Sequence, residues 1–264
     1  MAFDVNNFVI DRVVRGVALS QDDNSVLFSI NQIQNASLNC ASESTDAVDA
    51  LGTPIATFYR AKSCEFSAEN ALFDMNLMAT QLGTTKKVAS SGSKIITPAM
   101  ETFTVEANKT YTLKHAPKTA PTEIYALNGD STFGVKYTKA TGSDASANTF
   151  AITGSAMKLP TDVAVGTEMF VMYEYESEDA VEVVNSAVNY PVGCKFVMEV
   201  LGCDVCNQTD LIYAYVIFNN FKLSPDFDWS IATDGAHPFS GKAQQDYCDK
   251  EKKLFSIVIP SDEE

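Results

Sequence analysis

The residues whose spacing comes nearest to chemistry are Cys203-Asp204-Val205-Cys206, a lone C-x-x-C. Two thiols so placed can converge on one zinc ion or form a redox pair. A structural zinc needs four ligands, and no second pair of this kind occurs, so Cys194, Cys248 or His237 would have to fold in beside Cys203 and Cys206. The plainer reading, and the one preferred, is that these two cysteines flank a turn between strands. Histidine chemistry has little material. The chain has 2 histidines, His115 in "LKHAPKT" and His237 in "DGAHPF", both in turn-like contexts expected to be solvated. A triad or a multi-histidine metal site is nearly excluded on that count. "GTTKK" lacks the leading glycine and the strand–helix setting of a phosphate loop. No catalytic residue, cofactor or metal set is assigned, and the chain is read as a non-enzyme.

The elements around these residues must therefore explain the protein. Its 264 residues carry 34 acidic and 19 basic side chains, a net charge of -15, which repels nucleic-acid phosphates. A hydrophobic content of 45% is that of a globular chain with a substantial core. The start, "MAFDVNNFVIDRVV", places Asp4 where a secretory leader would carry positive charge, and the longest apolar run, "LIYAYVIF", is strand-sized. The expectation is a protein that is intracellular as made, with its 6 cysteines as free thiols and with Cys40 and Cys64 as small buried side chains.

Alternating apolar and polar residues predict strands in "SVLFSINQIQNASLNC", "IATFYRAKSCEF", "GCKFVMEVLGC" and "DLIYAYVIFNNFKL". One helix is expected at about 68–82. Ser67 is its N-cap, Glu69 favours its positive end, and Gly83 ends it in a left-handed conformation. Ala71, Leu72, Met75, Met78, Ala79 and Leu82 recur at helical spacing, with Leu72, Met75, Met78 and Leu82 as its core face. Short alternating segments separated by turns at Asn128-Gly129-Asp130 and Thr141-Gly142-Ser143 read as an inserted immunoglobulin-like unit at 98–178. The remainder, 1–97 and 179–264, forms a discontinuous β domain.

Two stretches resemble bacteriophage major tail (tail tube) proteins. One is the C-terminal run, through Lys222-Leu223-Ser224, Pro238-Phe239-Ser240-Gly241-Lys242-Ala243 and the closing "LFSIVIP". The other is "ATFYRAKSCEFSAENALFDMNLMATQLGT". The resemblance implies a mainly β fold, a barrel or sandwich with one packed helix. It also implies a virion structural protein made in the host cytoplasm and located in the tail. Its partners would be itself, in rings (commonly hexameric) stacked into a tube, other tail proteins, and DNA passing through without specific binding; no membrane is involved. On that view the polar stretches 41–53 and 83–97 are loops that order on assembly, with Asp46 and Asp49 in a subunit contact. Two alternatives stand beside it: another capsid-associated protein (head decoration, head fibre or neck), and a monomeric surface-binding module.

Overall fold

The structure is a computed structural model that describes residues 7–233, 235–246 and 250–260. Asp4 and Cys248, both named above, and the acidic end Asp262–Glu264 lie outside the described residues. The chain is mainly β. It opens with β1 (Phe8–Ser20), β2 (Val26–Ile30), β3 (Ile33–Val48), β4 (Pro54–Asn70) and the helix α1 (Met75–Gln81). There follow β5 (Lys87–Val88), β6 (Ile95–Thr104), β7 (Thr110–Thr112), β8 (Glu123–Leu127), β9 (Phe133–Lys139), β10 (Thr149–Thr153), β11 (Ala156–Lys158), β12 (Glu168–Ser177) and β13 (Val181–Glu182). The last strands are β14 (Gly193–Asp204), β15 (Asn207–Leu223), β16 (His237–Ala243) and β17 (Ser256–Val258). Two compact units result: one built from the chain up to Lys86 and from Val183 onward, the other from Lys87–Glu182.

In the first unit, one 8-stranded sheet runs in the order β2-β1-β14-β15-β16-β4-β3, with β17 paired to β15. Its strands alternate as a one-sided core requires: Cys194, Phe196, Met198 and Val200 of β14 are buried, as are Cys64, Phe66 and Ala68 of β4. The buried rings converge on Phe66, whose centroid lies 5.7 Å from Phe196 and 5.9 Å from both Phe218 and Phe239. Each such ring contributes about 1.5–3 kcal/mol by leaving water. Gly241 makes this packing possible, since a Cβ there would stand 2.4 Å from the Phe221 ring.

The helix is shorter than expected and starts later. Ser67 and Glu69 are not its first turn; they continue β4, opposite Ser240 and Pro238 of β16 and opposite Ser37 and Gln34 of β3. Pairing on both edges outweighs the local capping preference of Ser67. Asp74 is the N-cap instead, its Oδ1 accepting from the N–H groups of Asn76 (2.9 Å) and Leu77 (2.7 Å). Leu72 therefore precedes the helix and is 60% exposed, Met75 is half-buried, and Leu77 (0% exposed), Met78 and Leu82 carry the packing. Gly83 follows in the left-handed region with φ 65°, and a Cβ there would fall 2.2 Å from the Tyr190 carbonyl oxygen.

The second unit holds a 7-stranded sheet, β6-β12-β8-β9-β10-β11-β7, in which only β9 and β10 pair in parallel among the described strands. Separately, β5 and β13 pair through Val88 and Val181. Inside, Met169, Val171 and Tyr173 of β12 are buried with Phe103, Ile124 and Phe150. Glu101 is buried among them but fully engaged. It accepts from the hydroxyls of Tyr173 and Tyr111 and from the Lys114 N–H. Burial pushes its carboxyl up, but these hydrogen bonds outweigh burial and hold it below the usual range. The Tyr111 hydroxyl is pushed up to about 12, by burial and then by the adjacent carboxylate.

Candidate assembly surface

The stretch 41–53, expected as a loop, is instead the outer half of β3 and a tight tip. β3 and β4 form an antiparallel hairpin of 16 and 17 residues. Its polar sequence does not alternate because neither face of the outer half is buried: every residue from Gln34 to Val48 and from Pro54 to Ser63 is exposed. Nor does this part have other strand partners among the described residues. β3 pairs only with β4, and β4 meets β16 only from Cys64 to Asn70. The hairpin thus projects as a two-stranded arm with two open edges, a form that is marginal by itself and a template for further pairing.

Cross-strand pairs define two faces on the arm. Glu43 opposite Arg60, Thr45 opposite Phe58 and Ala47 opposite Ala56 make one; Ser44 opposite Tyr59 and Asp46 opposite Thr57 make the other. Ile55 (71% exposed), Phe58 (54%) and Tyr59 (71%) give these faces more apolar surface than an isolated ribbon would be expected to show. Asp46 sits on a strand, exposed. Asp49 closes the tip: its Oδ1 accepts from Leu51 N–H at 2.8 Å and Thr53 N–H at 2.9 Å, while Gly52 takes φ 85°.

The cysteines differ from expectation at the arm's root. Cys40 and Cys64 are not free thiols but a disulfide, and Cys40 is exposed. They stand directly opposite on β3 and β4 with Cα atoms 4.3 Å apart, so pairing register brings the sulfurs together. Cys203 lies at the end of β14 opposite Leu211, and Cys206 is exposed in the β14–β15 turn, its N–H bonded to Asp204 Oδ1. Cys194 is buried on β14, its thiol pushed up to about 12 by burial and directed at the Phe221 carbonyl. Among the described residues no group of three or more His, Cys, Asp or Glu is placed to hold a metal ion.

His237 is not a loop histidine. It opens β16, fully buried, with Nε2 2.8 Å from Gln81 Oε1 and Nδ1 accepting from Asp74 N–H at 3.4 Å. That arrangement is the neutral Nε2–H tautomer, and burial lowers its pKa although Asp74 opposes the shift. Phe73 stacks on it at 5.1 Å and on Trp229 at 4.4 Å. His237 thus ties the start of α1 to the sheet, a structural task. His115, by contrast, stacks on Tyr175 at 3.9 Å.

The arm's exposed apolar faces, open edges and preformed tip suit association. No curated protein matches the chain. The model of the YomU/Tube protein family matches residues 8–257, nearly the whole length, in agreement with the tail-tube resemblance of the stretch 56–84 and of the C-terminal run. On that match the chain belongs to the YomU/Tube protein family.

Proposed function

We propose that this protein is a tail tube subunit of a phage virion, a structural protein and not an enzyme, which assembles with itself into rings stacked into a conduit for DNA. The observation that carries the reading is the β3–β4 arm. Beyond Ser63 it buries no side chain within its own chain, yet it carries Ile55, Phe58 and Tyr59 outward. A surface of this kind gains stability only when a neighbour covers it. Contact of an arm with a different patch on the next copy is heterologous, and such contacts propagate as rings or open stacks.

Asp46 belongs to that contact in this reading, while Asp49 acts through the tip it shapes. The net charge of -15 suits a channel that DNA traverses without sticking, because every phosphate contact omitted weakens binding. The segment 98–178, which lies within the compact unit Lys87–Glu182, is read as an immunoglobulin-like accessory. Hexameric symmetry, attachment to other tail proteins and residence in the virion tail follow from the same reading. No helix among the described residues is long and apolar enough to cross a membrane.

Solution mass across a concentration series, with negative-stain electron microscopy, tests the proposal. Stacked rings with a central channel are the expected result. A monomer at every concentration, with no growth when preformed tail tips are supplied, sinks it.

A further inference from the structure

Four features of the arm coincide at its root. Cys64 pairs with Ala243 of β16 on one side and with Cys40 of β3 on the other. Toward the tip it is the last residue of β4 with a strand on both edges. It is also the last one buried, at 2% exposure, since Ser63 to Pro54 are all exposed. The next step outward is a break in register between Ala41 and Glu43, where Ala61 adopts φ 50°, the left-handed backbone of a bulge. The disulfide spans the point where packed sheet gives way to a bare ribbon.

We propose that the Cys40–Cys64 disulfide is a redox latch on the arm. Oxidised, it holds the two strands in register at the root and fixes the direction in which the arm leaves the sheet. Reduced, the ribbon from Ala41 to Ser63 frays and swings about the Ala61 bulge while the body stays folded. The body has its own core of buried rings, whereas the ribbon has only its ladder. A cross-link closing a sequence separation of 24 restricts the open forms of that ribbon most.

The exchange is accessible. Cys40 is exposed, and an open cleft of about 770 Å³ beside the disulfide is lined by Lys62, Lys252, Gln245 and Phe255. Lysine charge there favours an anionic small thiol in its thiolate form. That thiolate attacks Cys40 Sγ, the S–S bond breaks, and Cys64 leaves as a thiolate that takes a proton from water. A second small thiolate then attacks the small-molecule sulfur of the mixed disulfide and releases Cys40. Two small thiols are oxidised to their disulfide, and the protein disulfide is reduced by the same two electrons. A small disulfide drives the reverse. The latch goes beyond the assembly reading and does not depend on it.

The test is limited trypsin digestion of the full chain with and without a small thiol, with cuts after Arg60 and Lys62 read by mass spectrometry. Thiol alkylation scores the state of Cys40 and Cys64, and hydrogen exchange is followed on β14 and β15. Reduction is expected to speed both cuts roughly tenfold or more, because cleavage follows the open population. β14 and β15 are expected to stay protected. The double variant C40S/C64S should be cut at the reduced rate whether or not thiol is present. An arm cut no faster once Cys40 and Cys64 are shown to be free overturns the latch. So does a double variant that still responds to thiol. If that variant fails to fold, the comparison within the wild-type protein decides alone.

Discussion

Asp49 accepts a hydrogen bond from the Leu51 N–H at 2.8 Å, and the tip it closes holds the Leu51 side chain 91% exposed. A large apolar residue at the end of a preformed turn pays its ordering entropy before any partner arrives. Leu51→Ser should therefore leave the melting temperature within about ±0.5 kcal/mol equivalent of wild type, as surface changes do. It should weaken assembly by roughly tenfold or more, an interface-anchor effect. Thermal melting and sedimentation on the same preparation check the pair, and unaltered assembly would remove Leu51 from the contact.

The position of the helix gives a contrast between neighbours. Leu77 is 0% exposed and Leu72 is 60% exposed. Leu77→Ala should cost about 2–5 kcal/mol by leaving a cavity, whereas Leu72→Ala should stay within about 0.5 kcal/mol. Urea unfolding of both variants settles whether α1 starts at Met75.

His237 makes stability depend on pH. Its folded pKa lies below the ordinary 6.5, chiefly through burial. Above about 6.5 both folded and unfolded forms are neutral, and the native contacts to Gln81 and Asp74 contribute fully. As pH falls below that value the unfolded chain takes a proton that the folded chain refuses, so stability drops until the folded pKa is reached. Urea titrations from pH 8 to 5 should show this slope in wild type and lose it in His237→Gln. A parallel slope in both would assign the effect elsewhere.

In the second unit, Tyr173→Phe removes one of the three donors on the buried Glu101 carboxylate. The expected loss is about 1–3 kcal/mol, the penalty for an under-satisfied buried group. Because the folded Glu101 pKa lies below its usual value, its contribution is present above about 4.5 and fades as pH falls through the folded value. Differential scanning calorimetry at pH 7 and at pH 3 should show the Tyr173→Phe deficit shrink at the lower pH.

Strands such as β14 and β15 were legible in the sequence because one face of each is buried, so Phe196 or Phe218 recurs at a period of 2. Gly83 was legible because a left-handed turn after an apolar stripe selects glycine. The arm was not. A ribbon buried on neither face carries no alternation, so 41–53 reads as loop from composition alone. The signal that reveals it is placement: Cys40 and Cys64 lie 9 and 12 residues either side of the Asp49–Gly52 tip, an offset that the bulges at Ala41/Glu43 and Ala47/Val48 largely take up. Sequence alone places the start of the helix too early because Ser67 and Glu69 are good capping residues in any isolated stretch, and only the flanking strands β3 and β16 claim them for the sheet.

The central claim, that the arm joins copies of this chain, is tested most directly by shortening it. Replacing residues 45–58 with an Asn-Gly turn joins Ser44 to Tyr59, which already face each other across the ladder. Negative-stain electron microscopy of this variant beside wild type is the measurement. The account predicts stacked rings for wild type and, for the shortened chain, folded single subunits with an unchanged melting temperature. Tubes formed equally well by the shortened chain would contradict it.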